Sequence, residues 1–202
     1  MAIITISRQF GAGGKTLGTR LSDRLGYTFA GSEVIQKIAE VANVSPAWVE
    51  SVEKEAGTRV SALISRMVSR SLVDKILKDE RGYLDDDIYL DYLVLTISEI
   101  AEEGNAVILG RGAQYILKNE PDTYHVLLMD DFDDRVRFMM TNYDLTAGKA
   151  TRMVQNEDRR RANLYSKLGK SDYDSPSLYH LVLNMGRLSL EKAEDLIVQL
   201  VS

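Results

Sequence analysis

AIITISRQFGAGGKT, residues 2–16, is the stretch on which the reading of this chain turns. Residues 2–7 are a nearly unbroken apolar run rich in β-branched side chains, the pattern of a strand covered on both faces in a parallel sheet. The run breaks at RQFGAGG (8–14). Leu17, Leu21 and Leu25 then recur at helical spacing until Gly26 supplies a C-terminal stop. Strand, glycine loop and helix in this order build a phosphate site. Glycines let successive backbone N–H groups turn inward, and the helix N-terminus adds its dipole. A lysine then meets the outer phosphates, and a Ser/Thr hydroxyl meets magnesium.

Two registers of that loop stand side by side. Gly14-Lys15-Thr16 matches the end of G-x-x-x-x-G-K-[ST], but the first glycine of the pattern then falls on Gln9. In the other register Gly11, Ala12 and Gly13 form the G-x-G of nucleotide kinases, Gly14 takes the lysine position, and Lys15 comes one residue late. One helical position is a rotation of about 100°, which turns Lys15 away from where the lysine usually points. Arg8 is the neighbouring residue able to supply the missing charge. Thr16 is the expected metal ligand in either register.

Outward from the loop, strands alternate with helices. Residues 27–29 read as a short strand, and Ser32 reads as the cap of a helix carrying Val34, Ile35, Ile38 and Ala42 on one face. Ser45-Pro46 restarts a helix, in which Trp48 reads as a packing anchor. A helical pattern over 58 to about 78 is broken at 79–87, and another over 88–103 is stopped by Gly104. Residues 106–109 (AVIL) and 124–129 (YHVLLM) read as buried strands, the first ending in Gly110-Arg111-Gly112 and the second in Asp130-Asp131. A long helix over 147 to about 168, a loop at 171–177, a strand over 181–183 and a last helix capped by Ser189 complete the chain. This alternation implies an α/β fold with a doubly wound parallel sheet, its ligand site beyond the carboxyl ends of the strands.

Bulk properties narrow the function classes. The 202 residues carry 25 Lys and Arg against 30 Asp and Glu, a net charge of -5, so no overall field draws in nucleic acid. Absence of cysteine fits a reducing compartment. No apolar run approaches the roughly 20 residues of a membrane helix, and a cytoplasmic protein is expected. His125 and His180, in and beside apolar strands, read as structural. Neither a metal-ligand cluster nor a nucleophile-His-acid triad is visible, so hydrolase chemistry has no support. The compact basic run Arg159-Arg160-Arg161, preceded by Glu157 and Asp158, stands out in this acidic chain.

Five stretches occurring in order, ITISRQFGAGGKTLG (4–18), VILGRGA (107–113), DDRVRFMM (133–140), EDRRRANLY (157–165) and YHLVLNMGRLSLEKA (179–193), resemble the cytidylate kinase-like family. The resemblance covers most of the chain and is weak only between about 44 and 103. It implies a single P-loop NTPase domain over 1–202, with a five-stranded parallel sheet flanked by helices. It also implies a helical insertion near 45–103, read as acceptor side or as homodimer surface, and an arginine-bearing lid near 147–176.

Carried over residue by residue, Gly11, Ala12, Gly13, Gly14, Lys15 and Thr16, with Arg8 beside them, hold ATP and Mg2+. Arg111 and Asp158 contact the acceptor, a nucleotide or a small-molecule phosphate acceptor. Arg159 and Arg161, with Lys15, act on the transferred phosphoryl group, a task suited to planar guanidinium forks. Cytidylate kinases proper have lysine at the Gly14 position, Asp-Ser-Gly where 30–32 is Ala-Gly-Ser, and an acceptor arginine near Gln36. These departures argue against CMP as acceptor. The expectation is therefore an ATP-dependent phosphotransferase, with a nucleotide-binding sensor of little turnover as the alternative.

Overall fold

Strand β1 (Ile3–Arg8) forms where the β-branched run stands, and it is buried along nearly its whole length. Its alternation assigns two duties: Ile4 and Ile6 enter one hydrophobic cluster, while Ile3 enters another and shares its face with the buried polar residues Thr5 and Ser7. The computed structural model describes residues 1–47, 49–50 and 86–202. Trp48, the helix expected over 58–78 and most of the break at 79–87 lie outside the described residues.

The remaining elements follow in the expected alternation: α1 (Gly14–Leu25), β2 (Thr28–Ala30), α2 (Glu33–Val41), α3 (Asp86–Glu103), β3 (Ala106–Leu109), α4 (Ala113–Ile116), β4 (Thr123–Met129), α5 (Phe132–Tyr143), α6 (Ala147–Lys167), a 3-10 turn (Pro176–Leu178), β5 (Leu181–Asn184) and α7 (Leu190–Val201). The strands form a five-stranded sheet in the order β2-β3-β1-β4-β5, with every pairing parallel. This is the α/β P-loop fold. β1 is central, so its carboxyl end, where the glycine loop begins, is flanked by those of β3 and β4.

Helices cover both faces. Leu17 and Leu21 of α1 and Ala193 and Ile197 of α7 pack on Ile4, Ile6, Val107 and Val126. Val34, Ile35 and Ile38 of α2 and Leu93 and Ile97 of α3 pack beneath Ile3 and Ile108 on the other side. α1 and α7 are also pinned by Glu194, which accepts from Arg20 Nε at 2.7 Å and Arg24 Nη1 at 3.1 Å.

The helix ends show which local signals were sufficient. Gly26 adopts φ 68° and closes α1 through its N–H to Ser22 O, and the Ser189 hydroxyl accepts from Lys192 N to cap α7. Ser32 occupies the cap position of α2, but in a helical conformation (φ -68°, ψ -20°) its side chain makes no capping bond; Ile35 N bonds its carbonyl instead. α4 is a short helix that periodicity alone does not reveal. Among the described residues, no helix is long and apolar enough to cross a membrane.

Candidate active site

The glycine loop leaves β1 with Gly11 at φ 88° and Gly13 at φ 78°, both in the left-handed region that disfavours a Cβ. Space forbids one as well. A Cβ on Gly11 would stand 2.9 Å from both Cβ and O of Arg135, so only glycine lets the loop lie against α5. Within the loop Ala12 N donates to Gln9 O at 3.2 Å. The N–H groups of Gly11, Gly13, Gly14, Lys15 and Thr16 make no hydrogen bond among the described residues. They stand at the start of a 12-residue helix, where orphan donors and the dipole together favour an anion. Ala12 is buried in the core beneath the loop, and the Lys15 and Thr16 side chains are exposed at the helix start.

Beside the loop lies a cleft lined by Arg8, Phe10, Arg111, Glu157, Arg160, Arg161, Leu164 and Tyr165. Four guanidinium groups face one carboxylate there, so the cleft is cationic although the chain is acidic overall. The α6 residues 157, 160, 161, 164 and 165 follow helical spacing and form one face. Arg159 is two residues, about 200°, from Arg161 and is exposed on the other side of the helix. Thus the structure brings Arg8, Arg111 and Arg161 together and adds Arg160, whereas Arg159, Lys15 and Thr16 do not line the cleft. Arg160 also pairs with Glu157 at 3.7 Å.

Asp158 points to the flank of that face. Both its oxygens accept from Arg135 Nη1, at 3.0 and 2.9 Å, and the same nitrogen donates to Phe10 O at 2.9 Å. Arg135 is almost wholly buried, and its Nε has no hydrogen-bond partner among the described residues. One guanidinium therefore straps α6 to the glycine loop. It lies within the 133–140 stretch noted in the sequence, where nothing distinguishes it from the neighbouring Arg137; only the tertiary contact does.

Arg111 sits in a tight turn in which three successive residues, Gly110, Arg111 and Gly112, have φ of 75°, 54° and 73°. For a non-glycine residue this costs about 1 kcal/mol, and the turn aims the side chain into the cleft. Its Nη1 donates to Gly31 O at 2.7 Å, which joins the ends of β2 and β3.

Arg161, on the cleft face of α6, is held from several sides. It donates to Asp174 through Nη1 at 3.1 Å and Nη2 at 2.6 Å, and Nη2 also donates to Ser7 Oγ at 3.1 Å. The guanidinium lies 5.3 Å from the Tyr165 ring centroid and 4.8 Å from that of Tyr173, two rings stacked 4.3 Å apart. The Tyr165 hydroxyl bonds Ser7 Oγ and accepts from Gln114, which also donates to Tyr179. Burial, above all, raises the Tyr179 pKa, and it does the same for Tyr115, whose hydroxyl donates to Asp172. These phenols stay neutral donors. Asp174, Tyr165 and Tyr173 carried no sequence signal beyond the i,i+4 spacing of Arg161 and Tyr165.

Beneath the site, His125 Nδ1 and Thr5 Oγ1 are 2.7 Å apart, and His180 Nδ1 accepts from His125 N. Burial first, and the nearby His180 second, lower the His125 pKa to about 4. Both histidines hold strands together, as read from the sequence.

Among the described residues, no cluster of three or more His, Asp or Glu is placed to hold a metal unaided. A model of the cytidylate kinase-like family matches residues 3–187. No curated protein matches. Among solved structures, an uncharacterized protein from Eubacterium ventriosum superposes with TM-score 0.66 at 19% identity, over 100% of this chain and 98% of that one. Shikimate kinase from Bacteroides thetaiotaomicron gives 0.54 at 16% identity over 99% and 98%. Shikimate kinase from Acinetobacter baumannii, in complex with shikimate, gives 0.52 at 16% identity over 100% and 93%. At these identities the likeness speaks for the fold.

Proposed function

Because the chain belongs to the cytidylate kinase-like family, we propose that it transfers the γ-phosphoryl group of ATP to a small acceptor. The observation that carries this reading is the row of unpaired N–H groups at the start of α1, opening beside a cleft lined by four arginines. The row suits the phosphates of ATP, and the arginines suit the charge of the group in flight. Thr16, in the first turn of α1, would hold Mg2+ together with the nucleotide's own oxygens.

In the transfer, an acceptor oxygen forms a bond to the γ-phosphorus as the bond from that phosphorus to the bridging oxygen breaks, and ADP leaves. A hydroxyl acceptor also releases its proton. The chain's part is to position and neutralise. Arg111, aimed by its strained turn, orients the acceptor. Arg161, on α6, neutralises the transferred group once a phosphoryl oxygen competes with Asp174 for its fork.

A second reading, a nucleotide sensor with little turnover, is favoured by one observation: Lys15, the cation of the usual motif, does not line the cleft. ADP formation from MgATP decides between them, measured with a panel of nucleoside monophosphates and small hydroxyl or carboxylate-bearing acceptors. Turnover with any of these supports the transferase. Tight MgATP binding without ADP from any acceptor leaves the sensor.

A further inference from the structure

Gly14 stands at the lysine position of one register, and its glycine is not required by backbone conformation, since its φ is outside the left-handed region. What excludes a side chain there is Arg8. A Cβ on Gly14 would lie 2.9 Å from Arg8 Cγ and 3.3 Å from its Cβ and Cδ. At the far end of the same side chain, a Cβ on Gly110 would run into Arg8 Nη1. The Arg8 stem thus crosses the first turn of α1 and carries its guanidinium to the turn after β3, on the wall of the cationic cleft. Two glycines on separate elements keep that path open. Lys15, by contrast, is exposed and does not line the cleft.

We propose that Arg8, delivered from the end of β1, is the phosphate-neutralising cation of the donor site in place of the helix-borne lysine, and that Gly14 is glycine because Arg8 occupies its side-chain space. This rests on the ATP reading above and assigns one of its residues. The exchange has a chemical consequence: a planar guanidinium grips two phosphate oxygens at once, whereas an ammonium acts as a point charge.

The test relocates the charge. MgATP affinity is measured by calorimetry, and melting without nucleotide monitors the fold, for wild type, Arg8→Ala, Lys15→Ala, Gly14→Lys and the double variant Arg8→Ala/Gly14→Lys. Arg8→Ala is expected to weaken MgATP binding at least ~10-fold, the scale of one charge-assisted contact, and more than Lys15→Ala does. Gly14→Lys alone also weakens it, because the new side chain meets the Arg8 stem. The double variant binds more tightly than either of its parents, since the lysine then has room and a job. For forms that keep the stem, Arg8→Gln should lose affinity as Arg8→Ala does, while Arg8→Lys, which keeps the charge without the fork, should fall between wild type and Arg8→Gln.

A larger loss in Lys15→Ala than in Arg8→Ala, a folded double variant no better than Arg8→Ala, or wild-type affinity in Arg8→Gln overturns the proposal while wild type still binds. A wild type that does not bind MgATP overturns it together with the reading beneath it.

Discussion

Replacing Asp158 with alanine separates two roles for that residue. The family resemblance makes it an acceptor contact, whereas in the structure both its oxygens are engaged by Arg135. The Arg135 side chain is 7% exposed and that of Asp158 is 35% exposed, so the pair lies between the surface and buried regimes. Surface pairs contribute up to about 1 kcal/mol, whereas removing one partner of a buried pair costs about 3–5 kcal/mol because the other charge is stranded. Asp158→Ala strands the more buried charge of the two, and the expected destabilisation is about 2 kcal/mol. For a chain of this size that lowers Tm by roughly 4–8 °C. Calorimetric melting without nucleotide measures it. In a double-mutant cycle with Arg135→Met, which removes the stranded charge, the double variant should regain at least ~1 kcal/mol relative to the sum of the singles. If Asp158→Ala leaves Tm within about 1 °C of wild type and only raises the acceptor's KM, the strap has no energetic weight and the acceptor role stands.

Other expectations follow from the same geometry. Arg161→Ala should lower turnover by on the order of 100-fold or more while MgATP affinity falls far less, because its charge matters most during transfer; equal losses would contradict that. Arg160→Ala should cost more turnover than Arg159→Ala, since only Arg160 lines the cleft, and the reverse order would mean α6 rotates or shifts before transfer. Gly13→Asp should abolish the rise in Tm on adding MgATP by setting a carboxylate among the N–H groups; a retained shift would place the nucleotide elsewhere. His125, with a folded pKa of about 4 against 6.5, stays neutral where the unfolded chain takes up a proton. Its contribution is therefore intact above about pH 6.5 and lost as pH falls toward 4, by up to roughly 3 kcal/mol. His125→Gln should flatten that part of the stability-pH curve, and an unchanged slope would rule the residue out.

The fold was legible because its signals are local. Buried strands announce themselves as β-branched runs, and Gly26 and Ser189 end and begin helices by their own conformations. Ser32 failed as a cap because its residue is already helical, which composition does not reveal. In the candidate site, the loop glycines and the basic run could be found by pattern, but the direction of each side chain could not. Helical phase distinguishes Arg161 from Arg159 only once one face of α6 is known to pack toward β1. Arg135 and Asp174 escaped because their partners, Phe10 and Arg161, come from other segments of the chain. The role of Gly14 escaped because the reason for a missing side chain lay in a neighbouring element.

The central position of β1 also bears on how the chain comes to be folded during synthesis. β1 is made before its neighbours in the sheet, yet its ladder pairs with β3 and β4, and Thr5 meets His125, 120 positions further along the chain. At ordinary translation rates of about 5–20 residues per second, roughly 6–25 s pass before β4 is made. Through most of that interval a strongly apolar strand has neither neighbour, and pairing of such high sequence separation is slow to nucleate. The glycine loop, suspended from the end of that strand, acquires its shape only when the far half of the sheet arrives. Nucleotide binding by nascent chains truncated before and after residue 129 would therefore report the pairing of β1 with β4, and the leading strand is where a holding chaperone would find its longest-lived target.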